Sequence, residues 1–324
     1  MIPSSLLVRS LLLLGLALAP GCDGGGASGG APEAPGAPAA PRVDRPAFDS
    51  AKAFEHLRRQ VAFGPRVPGM PGHAAQLAWM KEYLATRADT VIEQPFTHTT
   101  RSGRTLSMTN LFARFRPDAQ DRVLLVAHWD TRPTSDQAAS AADRAKPVPG
   151  ANDGASGTAV LLELADMFKR TPPSIGVDLL LVDGEDYGPT GDDMYLGAKH
   201  FAANLPAGYR PFYGILLDMV GDREPRFPVE SNSQQFAPEV VQRVWGLAQE
   251  MGYGDIFPLS DGGAIEDDHI PLNRAGIRTI DIIDFDYGPG HRYWHTPEDV
   301  PENTSAESLR IVGEVVAELV YRGG

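Results

Sequence analysis

The chain has almost no cysteine and a shortage of basic residues. Cys22 is the single cysteine among 324 residues, which excludes an internal disulfide. The 29 Lys and Arg residues are outnumbered by 42 Asp and Glu residues, so the net charge is −13. This acidic balance argues against binding of nucleic acid, or of an anionic membrane, through a basic surface.

The apolar run near the start, Leu11–Leu18, is too short to span a bilayer as a mature helix. A basic residue precedes it and Ala-Pro-Gly-Cys follows it, a pattern typical of a secretory signal. We therefore predict residues 1–22 as a signal peptide and an exported protein of the periplasm or cell envelope. Cys22 is placed as in bacterial lipoprotein signals, although Pro20 departs from that pattern. A lipid anchor at Cys22 is the one membrane attachment that the sequence predicts.

Residues 23–46 are nearly all Gly, Ala, Pro and Ser. Such a segment has too little apolar surface to offset its ordering entropy, so we predict a disordered linker. Residues 47–324 then form the folded domain, which we expect to be a monomer. The hydrophobic share of 42% and the charged share of 22% are typical of a soluble globular protein with a sizeable core.

The pattern of apolar residues predicts both strands and helices. The predicted strands are Val91–Phe96, Leu106–Phe115, Val123–Ala127, Val177–Val182, Tyr213–Leu217 and Thr279–Ile283. The predicted helices are Ser50–Ala62, His73–Thr86, Thr158–Lys169, Leu196–Asn204, Phe236–Met251 and Ala306–Tyr321. Strands that alternate with helices indicate a single α/β domain, with a twisted, mixed and largely parallel central sheet flanked by helices on both faces.

One stretch, Val177–Tyr187, joins a buried strand to two consecutive acids, Glu185 and Asp186. Charges at the end of such a strand lie in the crevice where open α/β sheets hold their ligands. Two adjacent carboxylates repel each other and lose solvation, so a positive group should compensate them. A metal ion bound by one acid, with the other free to move protons, is one interpretation. A polar turn with two solvated acids is the other.

Other acidic and imidazole residues follow strands in the same way. With Glu185 and Asp186, the full set is His128, Asp153, Glu185, Asp186 and Asp218, together with His295 after the last strand. A mixture of imidazole and carboxylate suits zinc, which takes three protein ligands and an open position when it is catalytic. Each residue alone could be a strand cap, a helix N-terminal residue or a turn former. Their convergence at several strand ends favours a metal site.

The motifs around these residues resemble those of a known superfamily. They resemble the motifs of the M28 peptidases, which have a zinc-aminopeptidase-type fold. The resembling segments are His128-Trp129-Asp130, Gly150–Gly157, Asp183-Gly184-Glu185-Asp186, Asp218 and Trp294-His295-Thr296. Within that superfamily, Phe63–Gly69 and Ile265–Leu272 are similar to segments of the glutaminyl cyclases (glutaminyl-peptide cyclotransferases). The resemblance covers the domain from about Ser50 to the end. Within it, the motif Glu-Asp-Asp-His-Ile-Pro at residues 266–271 is the part that distinguishes glutaminyl cyclases from the rest of the superfamily.

The resemblance implies a zinc site with one ion per chain. Its ligands would be Asp153, Asp186 and His295, and Asp186 stands where many relatives have glutamate. Glu185 matches the catalytic acid/base of the family. His128 and Asp130 would be ligands of a second metal or partners of the first ligands.

The resemblance also implies residues that contact the substrate. Asp218 and Asp267 match an acidic pair in the catalytic hydrogen-bond network. Trp294 matches an aromatic wall beside the last ligand. Glu266 occupies a substrate-binding position where animal relatives have glutamine.

The implied activity is zinc-dependent cyclisation of an N-terminal glutamine to pyroglutamate, with release of ammonia from peptides or proteins. The first alternative is an aminopeptidase on the same fold with two zinc ions, for which His128 and Asp218 would supply second-metal ligands. A non-catalytic binding module is the second alternative. The intact Glu185 and the full ligand set argue against a binding module.

Overall fold

The computed structural model describes residues 44–324. The predicted signal peptide and residues 23–43 of the predicted linker lie outside the described residues, and the domain boundary at residue 47 stays a prediction. Arg45 donates a hydrogen bond of 2.9 Å to Glu318, and Phe48 is buried in the core. Across residues 44–324, no helix has the length and apolarity needed to cross a membrane.

A six-stranded sheet forms the centre of the domain. Its strands are β1 (Thr90–Thr99), β2 (Thr105–Phe115), β3 (Arg122–His128), β4 (Gly176–Val182), β5 (Gly214–Asp218) and β6 (Thr279–Ile283). They lie in the order β1-β2-β4-β3-β5-β6. β1, β2 and β4 pair antiparallel, whereas β4, β3, β5 and β6 pair parallel. The predicted mixed, largely parallel sheet is confirmed.

Nine α-helices surround this sheet in the described part of the chain. They are α1 (Ser50–Ala62), α2 (Pro71–Ala85), α3 (Ala141–Arg144), α4 (Ala155–Arg170), α5 (Leu196–Ala203), α6 (Ser231–Phe236), α7 (Pro238–Glu250), α8 (His269–Arg274) and α9 (Ala306–Tyr321). Short 3-10 helices lie at Gly191–Asp193 and Pro301–Asn303. The capping residues Asp49 and Ser305 accept hydrogen bonds from first-turn amides of α1 and α9, which stabilises each helix start by about 1 kcal/mol.

The helices cover both faces of the sheet, as predicted. Leu125 and Ala127 of β3 belong to the larger core with α1, α4, α7 and α9, while Leu124 and Val126 face a second core with α5 and α8. Every residue of β3, β4, β5 and β6 is buried, which explains their continuous apolar runs. In α4, Gly157 lies against the Leu217 carbonyl so closely that a Cβ atom would collide with it.

Three short helices, α3, α6 and α8, have no counterpart among the predicted helices. The helix predicted over Phe236–Met251 corresponds to α7, which begins at Pro238. Phe236 is instead the last residue of α6, and Pro238 separates the two helices because it disfavours helical geometry at Ala237. The segment Ile265–Leu272, for which no helix was predicted, runs into the short helix α8. Its turn places Asp267 and Asp268 in the interior, close to the end of β5.

Candidate active site

Three neighbouring parallel strands end at one edge of the sheet. β3 ends at His128 and β5 ends at Asp218, while β4 leads directly into Glu185 and Asp186. The turn before α4 adds Asp153 at the same edge. Because parallel strands present their carboxyl ends on one side, residues distant in sequence converge there. The convergence predicted from the sequence is therefore what the fold produces.

The first group able to hold a metal consists of Asp153, Asp186 and His295. Nε2 of His295 lies 3.5 Å from Oδ2 of Asp153 and 3.3 Å from Oδ1 of Asp186. All three residues are buried. Oδ2 of Asp186 is buried without a hydrogen-bond partner, which is costly for a carboxylate oxygen unless a cation binds it. The donor set and this free oxygen fit a zinc ion.

A second group shares Asp153 with the first. It consists of His128, Asp153 and Asp218, and Nε2 of His128 lies 3.1 Å from a carboxylate oxygen of each acid. Asp153 is placed between the two groups, as a carboxylate that bridges two metals would be. The residues alone therefore allow one metal or two.

Asp130 supports the site without belonging to either metal group. Its two carboxylate oxygens accept hydrogen bonds from the amides of Glu185 (3.0 Å) and Asp186 (3.2 Å). Asp299 supports the turn before α4 in the same way, because its carboxylate accepts hydrogen bonds from the amides of Asn152 (2.7 Å) and Asp153 (3.2 Å). These buried acids fix the two backbone turns that carry the ligands.

Glu185 is placed beside the metal groups but is a member of neither. Its Oε2 atom lies 3.8 Å from Nδ1 of His128. Burial and the carboxylates of Asp186 and Asp267 hold the pKa of Glu185 well above its usual range, although His128 opposes this. An acid with a raised pKa that is not a ligand can take up and release protons.

The residues predicted to contact the substrate include Asp218, Asp267 and Glu266, and the carboxylate of Asp267 is close enough to Glu185 to raise its pKa. Asp218 shares a hydrogen bond of 3.1 Å with His128. Asp267 is buried, and burial together with the charges of Asp218 and Asp268 raises its pKa well above the usual value. The side chain of Glu266 is exposed, and its carbonyl accepts a hydrogen bond of 2.7 Å from the Tyr195 hydroxyl.

The ring of Trp294 lies against His295, a member of the first group. Its ring stacks on His295 with the centroids 3.7 Å apart and the planes at 21°. Phe285 and His291 pack against its outer side, at 5.1 Å and 4.9 Å between centroids. An adjoining cavity of about 680 Å³ is lined in part by Ile265 and Phe285, but not by the metal-binding residues.

Loop 131–150, in which the sequence predicts no site residue, adds a carboxylate beside His295 and a cation beside Asp186. Burial lowers the pKa of His295, but the carboxylates of Asp186, Asp136 and Asp153 outweigh it and raise that pKa to about 9. Arg132 donates a hydrogen bond of 2.6 Å to Asp186. The prediction missed Arg132, Asp136 and the support from Asp299. In the sequence, only the closeness of these residues to the end of β3 and to His295 indicates that they could lie at the site.

Comparison with solved structures gives full-length matches to the described domain. A Zn-dependent exopeptidase from Parabacteroides distasonis is 38% identical with a TM-score of 0.83, covering 86% of this chain and 99% of that one. A Bacteroides thetaiotaomicron glutaminyl cyclase bound to N-acetylhistamine is 37% identical with a TM-score of 0.82 and the same coverage. The predicted zinc-aminopeptidase-like fold is confirmed.

Sequence comparison agrees with the structural one. The glutaminyl-peptide cyclotransferase of Bos taurus is 28% identical over 295 residues, which covers 78% of this chain and 76% of that protein. Aminopeptidase YwaD of Bacillus subtilis is 30% identical over 208 residues, and the matched part is 41% of its length. The model of peptidase family M28 matches residues 110–320, which include every metal-binding candidate. The chain is therefore a member of peptidase family M28.

Proposed function

We propose that the protein converts an N-terminal glutamine of peptides or proteins into pyroglutamate and releases ammonia. The observation that carries the catalytic part of the proposal is the placement of Glu185, and the choice of glutamine cyclisation over peptide hydrolysis rests on the similarity to glutaminyl cyclases. Glu185 lies beside a complete ligand group, outside that group, and its pKa is raised. The glutaminyl cyclase of Bacteroides thetaiotaomicron, with 37% identity over nearly its whole length, supports the same substrate.

We propose one zinc ion held by Asp153, Asp186 and His295. The mixed carboxylate and imidazole donors and the free Oδ2 atom of Asp186 support this assignment. When bound there, zinc would polarise the γ-carbonyl group of the substrate glutamine.

The protein's own groups move one proton in the reaction. The neutral α-amine of the glutamine attacks its own γ-carbonyl carbon, so the reacting atoms are already held within one residue. As the new C–N bond forms, Glu185 takes a proton from the amine. Glu185 then delivers that proton to the departing amide nitrogen, the original C–N bond breaks, and ammonia leaves.

The neighbouring residues orient the substrate. We assign Asp218, which lies beside His128, to orient the α-amine, and Asp267 to complete the acidic pair. The exposed part of Trp294 can pack against the apolar carbons of the glutamine. The side chain of Glu266 lies at the exposed rim, where it would meet the residues after the glutamine.

The second candidate is a dinuclear aminopeptidase. The group of His128, Asp153 and Asp218 favours it, because it offers ligands for a second zinc next to the first. Glu185 would then serve as the base that activates a metal-bound water. The similarity to a Zn-dependent exopeptidase supports this alternative as well.

One assay separates the two candidates. The purified protein is given a peptide that begins with glutamine and, separately, leucine p-nitroanilide. A peptide product lighter by one ammonia molecule, with no shortening of the chain, supports the cyclase. Release of nitroaniline, with two zinc ions per chain, would favour the aminopeptidase, and neither product would indicate a binding protein.

We also propose that the protein acts outside the cytoplasm, held to a membrane only through lipid on Cys22. This proposal rests on the leader pattern of residues 1–22. Cell fractionation of the wild type and of Cys22→Ser tests it. Lipidation predicts that the wild type is recovered with membranes and that the variant is not, whereas identical fractions contradict the anchor.

A further inference from the structure

The loop between β3 and α4 sends two charged side chains to the metal ligands. Nη1 of Arg132 donates a hydrogen bond of 2.6 Å to Oδ1 of Asp186, which leaves Oδ2 as the free oxygen. Nη2 of Arg132 donates a second bond of 3.1 Å to Asp136. Neither Arg132 nor Asp136 has a part in the proposed chemistry.

Asp136 in turn faces the outer nitrogen of His295. Its Oδ1 atom lies 3.2 Å from Nδ1 of His295, at hydrogen-bond distance although not in hydrogen-bond alignment. Nε2 of the same ring points to Asp153 and Asp186. The contacts therefore close a ring from Asp186 through Arg132 and Asp136 to His295.

The guanidinium of Arg132 is enclosed rather than free to swing away. Its side chain is only 6% exposed. Gly188, with a φ of 57°, lies over it so closely that a Cβ atom would be 2.8 Å from both terminal nitrogens. Two segments of the chain thus meet at one arginine: its own loop and the segment from Asp186 to Gly188.

We propose that Arg132 and Asp136 are positioning residues that set the affinity and geometry of the metal site. Arg132 holds Asp186 so that Oδ2 is presented, and Asp136 holds the His295 ring so that Nε2 is presented. Outer partners of this kind commonly orient metal-binding imidazoles and carboxylates. The inference rests on the proposed metal site, but not on the proposed substrate.

Arg132 could influence zinc affinity through its charge or through its orientation of Asp186, and the two effects predict opposite results when Arg132 is replaced. A cation next to the ligands repels a metal ion, so removing it would tighten zinc binding if charge alone mattered. If orientation dominates, Arg132→Met weakens zinc binding. Arg132→Lys should weaken it as well, because one ammonium cannot reproduce the forked contact with both acids.

Zinc affinity, measured by competition with a chelator, tests the proposal. We expect Asp136→Ala, Arg132→Met and Arg132→Lys each to weaken zinc binding by roughly 10–100-fold, with Asp136→Asn partly restoring it. The absorption spectrum of the cobalt-substituted protein should shift in the same variants. Asp143→Asn is the matched control, because Asp143 lies on the same loop in an exposed pair with Lys146.

The outcomes distinguish a failure of the positioning role of Arg132 and Asp136 from a failure of the metal site itself. Zinc affinity and cobalt spectra equal to wild type in folded Asp136→Ala and Arg132→Lys proteins would overturn the proposal, and tighter binding by Arg132→Met would do the same. Circular dichroism checks folding, and Asp136→Asn provides a mild variant if Asp136→Ala unfolds. If His295→Ala also keeps its zinc affinity, the assigned metal site is wrong, whatever the substrate.

Discussion

Two buried histidines in this protein have opposite titration behaviour. His56 belongs to α1 and faces α2, where burial and the cations Lys52 and Arg87 lower its pKa to about 4. His295 is equally buried, but three carboxylates raise its pKa to about 9. Burial lowers the pKa of both rings, so the neighbouring charges make the difference.

The comparison shows how the sheet edge that carries the candidate metal groups, here called the functional side, differs from the helix layer of α1 and α2, here called the structural side. His56 bonds the Tyr83 hydroxyl at 3.0 Å and packs against Trp79, which satisfies a neutral ring within the core. His295 faces carboxylates that repel one another without a cation. A concentration of buried acids around an imidazole therefore marks the edge of the sheet that can bind a metal.

The largest expected effect comes from removing the histidine on the functional side. His295→Ala removes a ligand outright, so zinc affinity should fall by more than about 100-fold, beyond the usual cost of losing an outer partner. His56→Gln, the matched change on the structural side, should keep its zinc. Metal analysis of the two purified variants checks the contrast. Equal zinc content in both would break the comparison.

Glu185→Gln should separate chemistry from metal binding on the functional side. The amide cannot carry the proton, so we expect kcat to fall by roughly 10²–10⁴-fold. Zinc content should stay at the wild-type level because Glu185 belongs to neither ligand group. Steady-state kinetics and metal analysis test both parts. Full activity would refute the role assigned to Glu185.

On the structural side, His56 should make stability depend on pH. Its folded pKa of about 4 lies below the ordinary value of 6.5, so the folded state binds fewer protons than the unfolded state. The stability it contributes is present above pH 6.5 and is lost as the pH falls towards 4, by up to about 3 kcal/mol. Urea unfolding at pH 7 and pH 4.5 should show a smaller loss for His56→Gln than for wild type. An equal loss would contradict this account.

The smallest effect expected is on the pH dependence of turnover. The attacking α-amine must be uncharged, and such amines have pKa values of about 7.7–8.0. Activity should therefore rise several-fold from neutral to mildly alkaline pH. A pH profile of kcat/KM on a peptide that begins with glutamine measures it, and an optimum well below pH 6 would count against the mechanism.

Much of the fold could be predicted because periodicity and caps are local signals. The predicted bounds of α1, β6 and α9 match the structure to the residue. The helix α6 is not predicted because its six residues are too few for apolar periodicity to show. The turn into α8 is too short for periodicity to reveal.

The strand ends and the motifs shared with the family together predict the candidate site, including Asp153 and His295, which lie on turns and not at strand ends. His128, Glu185 and Asp218 lie at strand ends, and the fold brings those ends together. Arg132, Asp136 and Asp299 act from loops, whose contacts leave no periodic trace in the sequence. Long-range loop contacts of this kind depend on packing that only the structure shows.

The origin of the product's γ-carbonyl oxygen tests the central claim most directly. The purified protein is incubated with a peptide that begins with glutamine in water labelled with heavy oxygen, and the product is weighed by mass spectrometry. Attack by the peptide's own amine predicts the loss of one ammonia molecule, no label and an intact chain. Label in the product, or a shortened peptide, would show attack by water and contradict the account.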